Sequence, residues 1–221
     1  MKKMLRDNGL TIALGLLFLA SLVGQMISGY AQENEDRLQH GLVMVSFGQF
    51  LVGGEFLSAL FENWESEFLQ MSAYVTLTAY LFQRGSPESK DPDSPAPQDR
   101  DPALDEKDPK APWPVRAGGV ARALYAHSLG ATLFLLFLAS FVLHWLNSFR
   151  QSVEEAMEHH QPPPELLAYA VDPRFWFESF QNWQSEFLST AVLVVLAIFL
   201  RERGSPESKP VSAPHSQTGA G

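Results

Sequence analysis

Asn63-Trp64-Glu65-Ser66-Glu67-Phe68-Leu69 recurs 119 positions later as Asn182-Trp183-Gln184-Ser185-Glu186-Phe187-Leu188. Each copy opens an apolar run. Each run ends in the same words, Arg84-Gly85-Ser86-Pro87-Glu88-Ser89-Lys90 and Arg203-Gly204-Ser205-Pro206-Glu207-Ser208-Lys209. The same offset, without a gap, lays Leu16-Leu17-Phe18-Leu19-Ala20-Ser21 on Leu135-Leu136-Phe137-Leu138-Ala139-Ser140. The chain therefore reads as an internal duplication, residues 5–90 repeated as 124–209.

Working outward, each copy offers two apolar helices. The first copy, residues 1–84, has them at about 10–28 and 64–83, and the second, residues 123–203, at about 124–146 and 183–202. Starting the second helix at Trp64 gives roughly 30 Å of helix, which matches a bilayer core. Asn63 and Asn182 are then expected as N-caps, Glu65 and Glu67 as partners of the positive helix end, and Trp64 and Trp183 as interfacial anchors. Gly85 and Gly204 suit the C′ position, with Pro87 and Pro206 stopping the helix.

The intervening stretches are harder to place. Residues 42–61 are apolar enough to pass for a span. Their counterpart contains Pro162-Pro163-Pro164 and Asp172-Pro173-Arg174, which a spanning helix does not tolerate. Both stretches, about 42–61 and 165–180, are therefore expected as interfacial or re-entrant segments. The fold expected is all-α: a membrane protein of four transmembrane helices, arranged as two tandem hairpins of parallel orientation. Lys2, Lys3 and Arg6 precede the first helix, and Gly29-Tyr30-Ala31 resembles a cleavage site, so the segment has the look of a signal peptide. Its repeat partner lies mid-chain, which favours a retained helix.

Charge is segregated. The net charge of -9 resides in the loops, above all in an acidic, Pro-rich linker at 85–122, and it argues against nucleic acid as a partner. Linker and tail, 204–221, lack the apolar residues that would order them and are expected to be disordered. With four helices, Lys2, Lys3, Arg6, Arg84, Lys90, Arg116, Arg122, Arg201, Arg203 and Lys209 fall on one side. The positive-inside rule then places both termini and the linker in the cytoplasm, with the chain in the inner (plasma) membrane.

The motifs resemble those of a bacterial family of uncharacterised integral membrane proteins, grouped as a domain of unknown function. Arg6-Asp7-Asn8-Gly9-Leu10 and the two paired motifs carry the likeness. It implies an integral membrane protein and brings no activity, cofactor or catalytic residue.

Candidate site residues are Asn63, Trp64, Ser66 and Glu67 with Asn182, Trp183, Ser185 and Glu186, a polar cluster on the outer face. Asn63, Glu67, Gln70 and Tyr74 share one helix stripe, as do Asn182, Glu186 and Ser189. Two such stripes facing each other would form a small vestibule with paired carboxylates. The plainer reading is cap, dipole partner and anchor. His40 and His159 are weak metal-ligand candidates beside Glu67 and Glu186, without metalloprotease spacing. No cysteine exists for thiol chemistry or thiolate metal sites. No span carries a central Asp, Glu, Lys or Arg, unlike ion-coupled transporters. The expected role is structural or interactive in the cell envelope, with the bilayer, other envelope proteins or copies of itself as partners. Permeation of a small solute or cation is the alternative, and an interfacial enzyme the weakest reading.

Overall fold

The computed structural model describes residues 2–219, and all regular structure among them is helical. The order is α1 (Lys2–Gln39), α2 (Phe47–Leu51), α3 (Gly54–Tyr80), α4 (Trp113–Ala117), α5 (Gly119–Ala126), α6 (Ser128–Glu158), α7 (Leu166–Tyr169) and α8 (Pro173–Phe199). Two 3-10 turns, Pro97–Asp99 and Pro102–Asp105, lie in the linker. α1 and α6 end 119 residues apart, and α3 and α8 share that offset at both ends. Three stretches are long and apolar enough to cross a membrane: Lys3–Gln39, Ser128–Glu158 and Leu166–Phe199.

Several boundaries differ from expectation. α1 and α6 run well past 28 and 146 into polar sequence, where charged side chains pair instead of breaking the helix. Arg37 bridges to Glu33 one turn back at 3.3 Å and to Glu158 at 3.4 Å. α3 and α8 begin ten residues upstream of Trp64 and Trp183, so Asn63 and Asn182 sit inside helices and cap nothing. Asp172-Pro173, expected to break structure, starts α8: Asp172 is the N-cap, accepting from the Arg174 N–H at 2.8 Å, and Pro173 occupies N1.

Contacts divide the chain into two units. The first takes the residues up to Leu60 together with Leu143–Ala170. Here α2 opens on a capping box of Ser46 and Gln49, and Asn34 staples the preceding loop through the Val45 N–H and C=O. Phe50 packs on Tyr30 with ring centroids 5.9 Å apart, and Tyr169 packs on Phe149 at the same separation. Position 29, one residue before Tyr30, is a glycine because Phe50 lies where a Cβ would be, 2.9 Å away. At the matching position Ser148 bonds the Tyr169 hydroxyl at 2.7 Å, buried.

The second unit takes Phe61–Val142 and the residues from Val171 on. Phe137, Phe141, Phe175, Trp176, Phe180 and Trp183 form one aromatic cluster with centroids 5.4–6.3 Å apart. The two Arg-Gly-Ser-Pro-Glu-Ser-Lys copies fold alike. The Ser86 N–H donates to the Gln83 carbonyl at 3.1 Å and the Ser205 N–H to the Glu202 carbonyl at 3.2 Å. Gly85 and Gly204 take φ of +87° and +89° within those turns, which begin after the helices have ended at Tyr80 and Phe199, rather than at C′. Ser89 and Ser208 then accept from the Gln83 and Glu202 N–H groups at 2.9 and 3.0 Å.

Linker and tail, expected to be disordered, carry turns built from polar groups. Asp91, Asp101 and Asp108 each accept from a backbone N–H two residues on, and Arg100 pairs with Asp105 at 2.7 Å.

Candidate functional site

The motif copies meet in the second unit. Glu62 accepts from the Asn182 side-chain amide, 120 positions away, and Glu65 from Trp183 Nε1 at 3.2 Å, 118 positions away. Gln70 donates to the Thr190 hydroxyl, again 120 positions on. Both numbers in each pair rise together, so α3 and α8 run parallel. Their register equals the sequence offset to within one residue. Equivalent residues also lie within electrostatic range of each other: Glu186 feels the charge of Glu67, and the Glu88 carboxyl bonds that of Glu207.

Apart from Phe56, the side chains that α3 buries are polar. Ser58, Glu65, Ser66 and Ser72 are all buried, Glu65 completely. Ser72 donates to the Gly130 carbonyl of α6 at 3.3 Å, and Ser66 turns back to the Asn63 carbonyl at 2.8 Å. Ser185 makes the same backward bond to Asn182 at 2.8 Å, yet it is exposed. One motif therefore occupies two environments. Asn63 and Glu67 are exposed, while Asn182 and Glu186 are half-buried. Trp64 stacks edge-on against Phe61, whereas Trp183 is embedded in the aromatic cluster.

Of the expected stripe, Gln70 crosses to α8, and Tyr74 instead donates to Glu88 at 2.8 Å. Burial raises the Glu88 carboxyl above its ordinary range and Glu207 adds to that, while the Tyr74 bond works in the opposite direction. Glu62 and Thr190 were missed by sequence reasoning, and Glu65 was expected only as a partner of the positive helix end. The signal available was helical spacing from the buried serines, since 58, 62, 65 and 72 lie on one face.

His40 and His159 line one cavity of about 650 Å³ in the first unit, with Glu33, Asp36, Glu55 and Glu158, and Glu67 and Glu186 are not among its lining residues. The Glu55 carboxyl is pushed up to about 8, first by burial, then by its hydrogen bond to Glu33 and the nearby Asp36 and Glu155. Among the described residues, no three His, Asp or Glu side chains converge to hold a metal ion.

These features define a class: an all-helical protein whose long apolar helices are compatible with a membrane protein. More particularly, the chain belongs to the family described as Domain of unknown function (DUF6766), matched over residues 1–220. No curated protein and no solved structure matches it.

Proposed function

We propose that the chain is a four-span protein of the inner (plasma) membrane, made of two tandem hairpins, with a structural or interaction role in the cell envelope. The observation that carries this is the in-register pairing of α3 with α8. A helix parallel to a span and level with it shares its depth, so α3 from about residue 64 onward is the fourth crossing, with Glu55 outside it. It is less apolar than the others because its buried face carries Glu65, Ser66 and Ser72. Polar groups bonded to neighbouring helices are a common means of joining helices in lipid. The paired motif is thus spent on assembly.

Lipid as the surrounding medium accounts for α1. Leu10, Leu14 and Leu17 are each more than half exposed, and none of the helix's apolar window is buried. Water would penalise such a surface heavily, and hydrocarbon would not. The basic residues flanking the four helices put both termini and the linker in the cytoplasm. Partners are other envelope proteins or further copies of this chain.

The native chain has no cysteine, so single cysteines test the topology directly. With cysteine at Glu35, Ser94, Gln161 or Ser212, an impermeant thiol reagent on intact cells should label Glu35→Cys and Gln161→Cys alone. Labelling of Ser94→Cys would exclude the arrangement.

The charge of Glu67 felt at Glu186 favours a second reading, permeation of a small solute or cation past the two carboxylates. Flux into proteoliposomes that falls in Glu67→Gln/Glu186→Gln would support it. Equal flux with and without protein would remove it.

A further inference from the structure

Lys209 is 1% exposed, and its ammonium, with three N–H donors, lies within hydrogen-bond distance of four backbone carbonyl oxygens: Gly85 at 2.6 Å, His215 at 3.0 Å, Gln217 at 3.1 Å and Pro214 at 3.3 Å. No carboxylate pairs with it among the described residues. Its counterpart Lys90 adopts the ordinary solution, bonding the Ala79 carbonyl and the Asp99 carboxylate. A buried ammonium without a counter-ion is costly unless dipoles replace its water. Four converging carbonyl oxygens do so in the manner of a potassium site. Burial, with Arg201 nearby, holds the Lys209 amine below its ordinary range.

The oxygens come from two segments. Gly85 belongs to the turn after α3, and Pro214, His215 and Gln217 to the tail. Those segments are tied by further bonds: the Gly85 N–H donates to the Thr218 hydroxyl at 2.9 Å, and the Gly219 N–H to the Ser86 carbonyl at 3.0 Å. Arg201 donates to the Ala213 carbonyl at 3.0 Å.

We propose that these four carbonyls form a monovalent-cation site whose built-in occupant is the Lys209 ammonium, and that the occupied site locks residues 210–219 as a strap over the Gly85 turn. The charge is the pin, and the methylene stem only delivers it. Once the side chain is removed, free ammonium or potassium fits the same oxygens. Tetramethylammonium has no N–H and is too wide for oxygens about 3 Å from the nitrogen.

Hydrogen–deuterium exchange on the full chain in detergent micelles reads the lock at segments 83–90 and 210–219. Lys209→Met, which keeps bulk and removes charge, should raise exchange in both segments together by about tenfold while the middle of α8 stays unchanged. Lys209→Ala should do the same in sodium buffer, with protection recovered in ammonium or potassium chloride and not in tetramethylammonium chloride. Parent-like protection in Lys209→Met would overturn the proposal, as would a loss in Lys209→Ala that no small cation repairs. Should either variant also loosen α8, Thr218→Val decides with Lys209 in place: faster exchange at both segments is expected, and none overturns the strap.

Discussion

Trp183 Nε1 donates to the carboxylate of Glu65 at 3.2 Å, and that carboxylate belongs to a residue with no exposed surface. The bond crosses from the second motif copy to the first, between unlike positions: the tryptophan of one copy meets the variable residue of the other. Gln184 occupies that variable position in the second copy and is exposed. The helix pair is therefore asymmetric at this contact, where a buried residue of the first copy answers to an exposed one in the second.

Removing the donor tests the contact. Trp183→Phe keeps most of the ring volume and should cost about 1–3 kcal/mol, because a buried acceptor loses a partner. Trp64→Phe, at the equivalent position, leaves the Trp183–Glu65 bond in place and serves as the comparison. A double-mutant cycle of Trp183→Phe with Glu65→Leu should show a coupling of more than ~0.5 kcal/mol in detergent melting. Full additivity would mean that the bond contributes nothing.

The two turn glycines separate backbone conformation from crowding. Both have strongly positive φ, which costs an L-residue roughly 1–2 kcal/mol. A Cβ on Gly85 would also lie 2.8 Å from the His215 carbonyl, whereas one on Gly204 would meet nothing within 4 Å. Gly85→Ala should therefore lower the melting temperature more than Gly204→Ala, and it alone should loosen the tail. Equal shifts would show that the tail does not press on Gly85.

Glu55 supplies a pH dependence. Its folded pKa of about 8 lies above the ordinary 4.5, so the folded protein binds the proton more tightly than the unfolded chain. Stability from this group is complete below pH 4.5 and is lost as pH rises through about 8. Melting of the parent should fall between these limits, by the equivalent of ~2 kcal/mol once solvent screening is allowed for. Glu55→Gln, uncharged throughout, should flatten that part of the profile. A parent and variant with identical pH profiles would refute the role given to burial and Glu33.

Gly54 tests the close approach of α3 and α6 in the first unit. A Cβ there would sit 2.7 Å from the Gln151 nitrogen and 3.1 Å from the Asn147 carbonyl, both backbone atoms that cannot swing aside. Gly54→Ala should destabilise by ~1–3 kcal/mol, through displacement of one helix. Gly48→Ala, where a Cβ meets nothing within 4 Å, serves as the neutral comparison. A stabilised Gly54→Ala would show that the helices are not in contact there.

What the sequence by itself determined was whatever depends on local chemistry and on period. The long apolar runs exceed the length of a strand and read as helices, and α1, α3, α6 and α8 are helical. The glycines of the two Arg-Gly-Ser words needed positive φ, and both have it. The common spacing of the motifs anticipated elements that recur at one offset. Local rules also misled where one signal serves two purposes: Asp172-Pro173 interrupts a helix if it lies inside and starts one if it lies at the edge. Only the tertiary structure decided that α8 begins there, that Glu62 and Glu65 bond across to α8, and that Lys209 is buried while Lys90 keeps a carboxylate. Two copies of one motif cannot choose unlike partners from their own sequence. The choice is made by helix rotation and by neighbours distant in the chain, which supply or withhold the second hydrogen-bonding group.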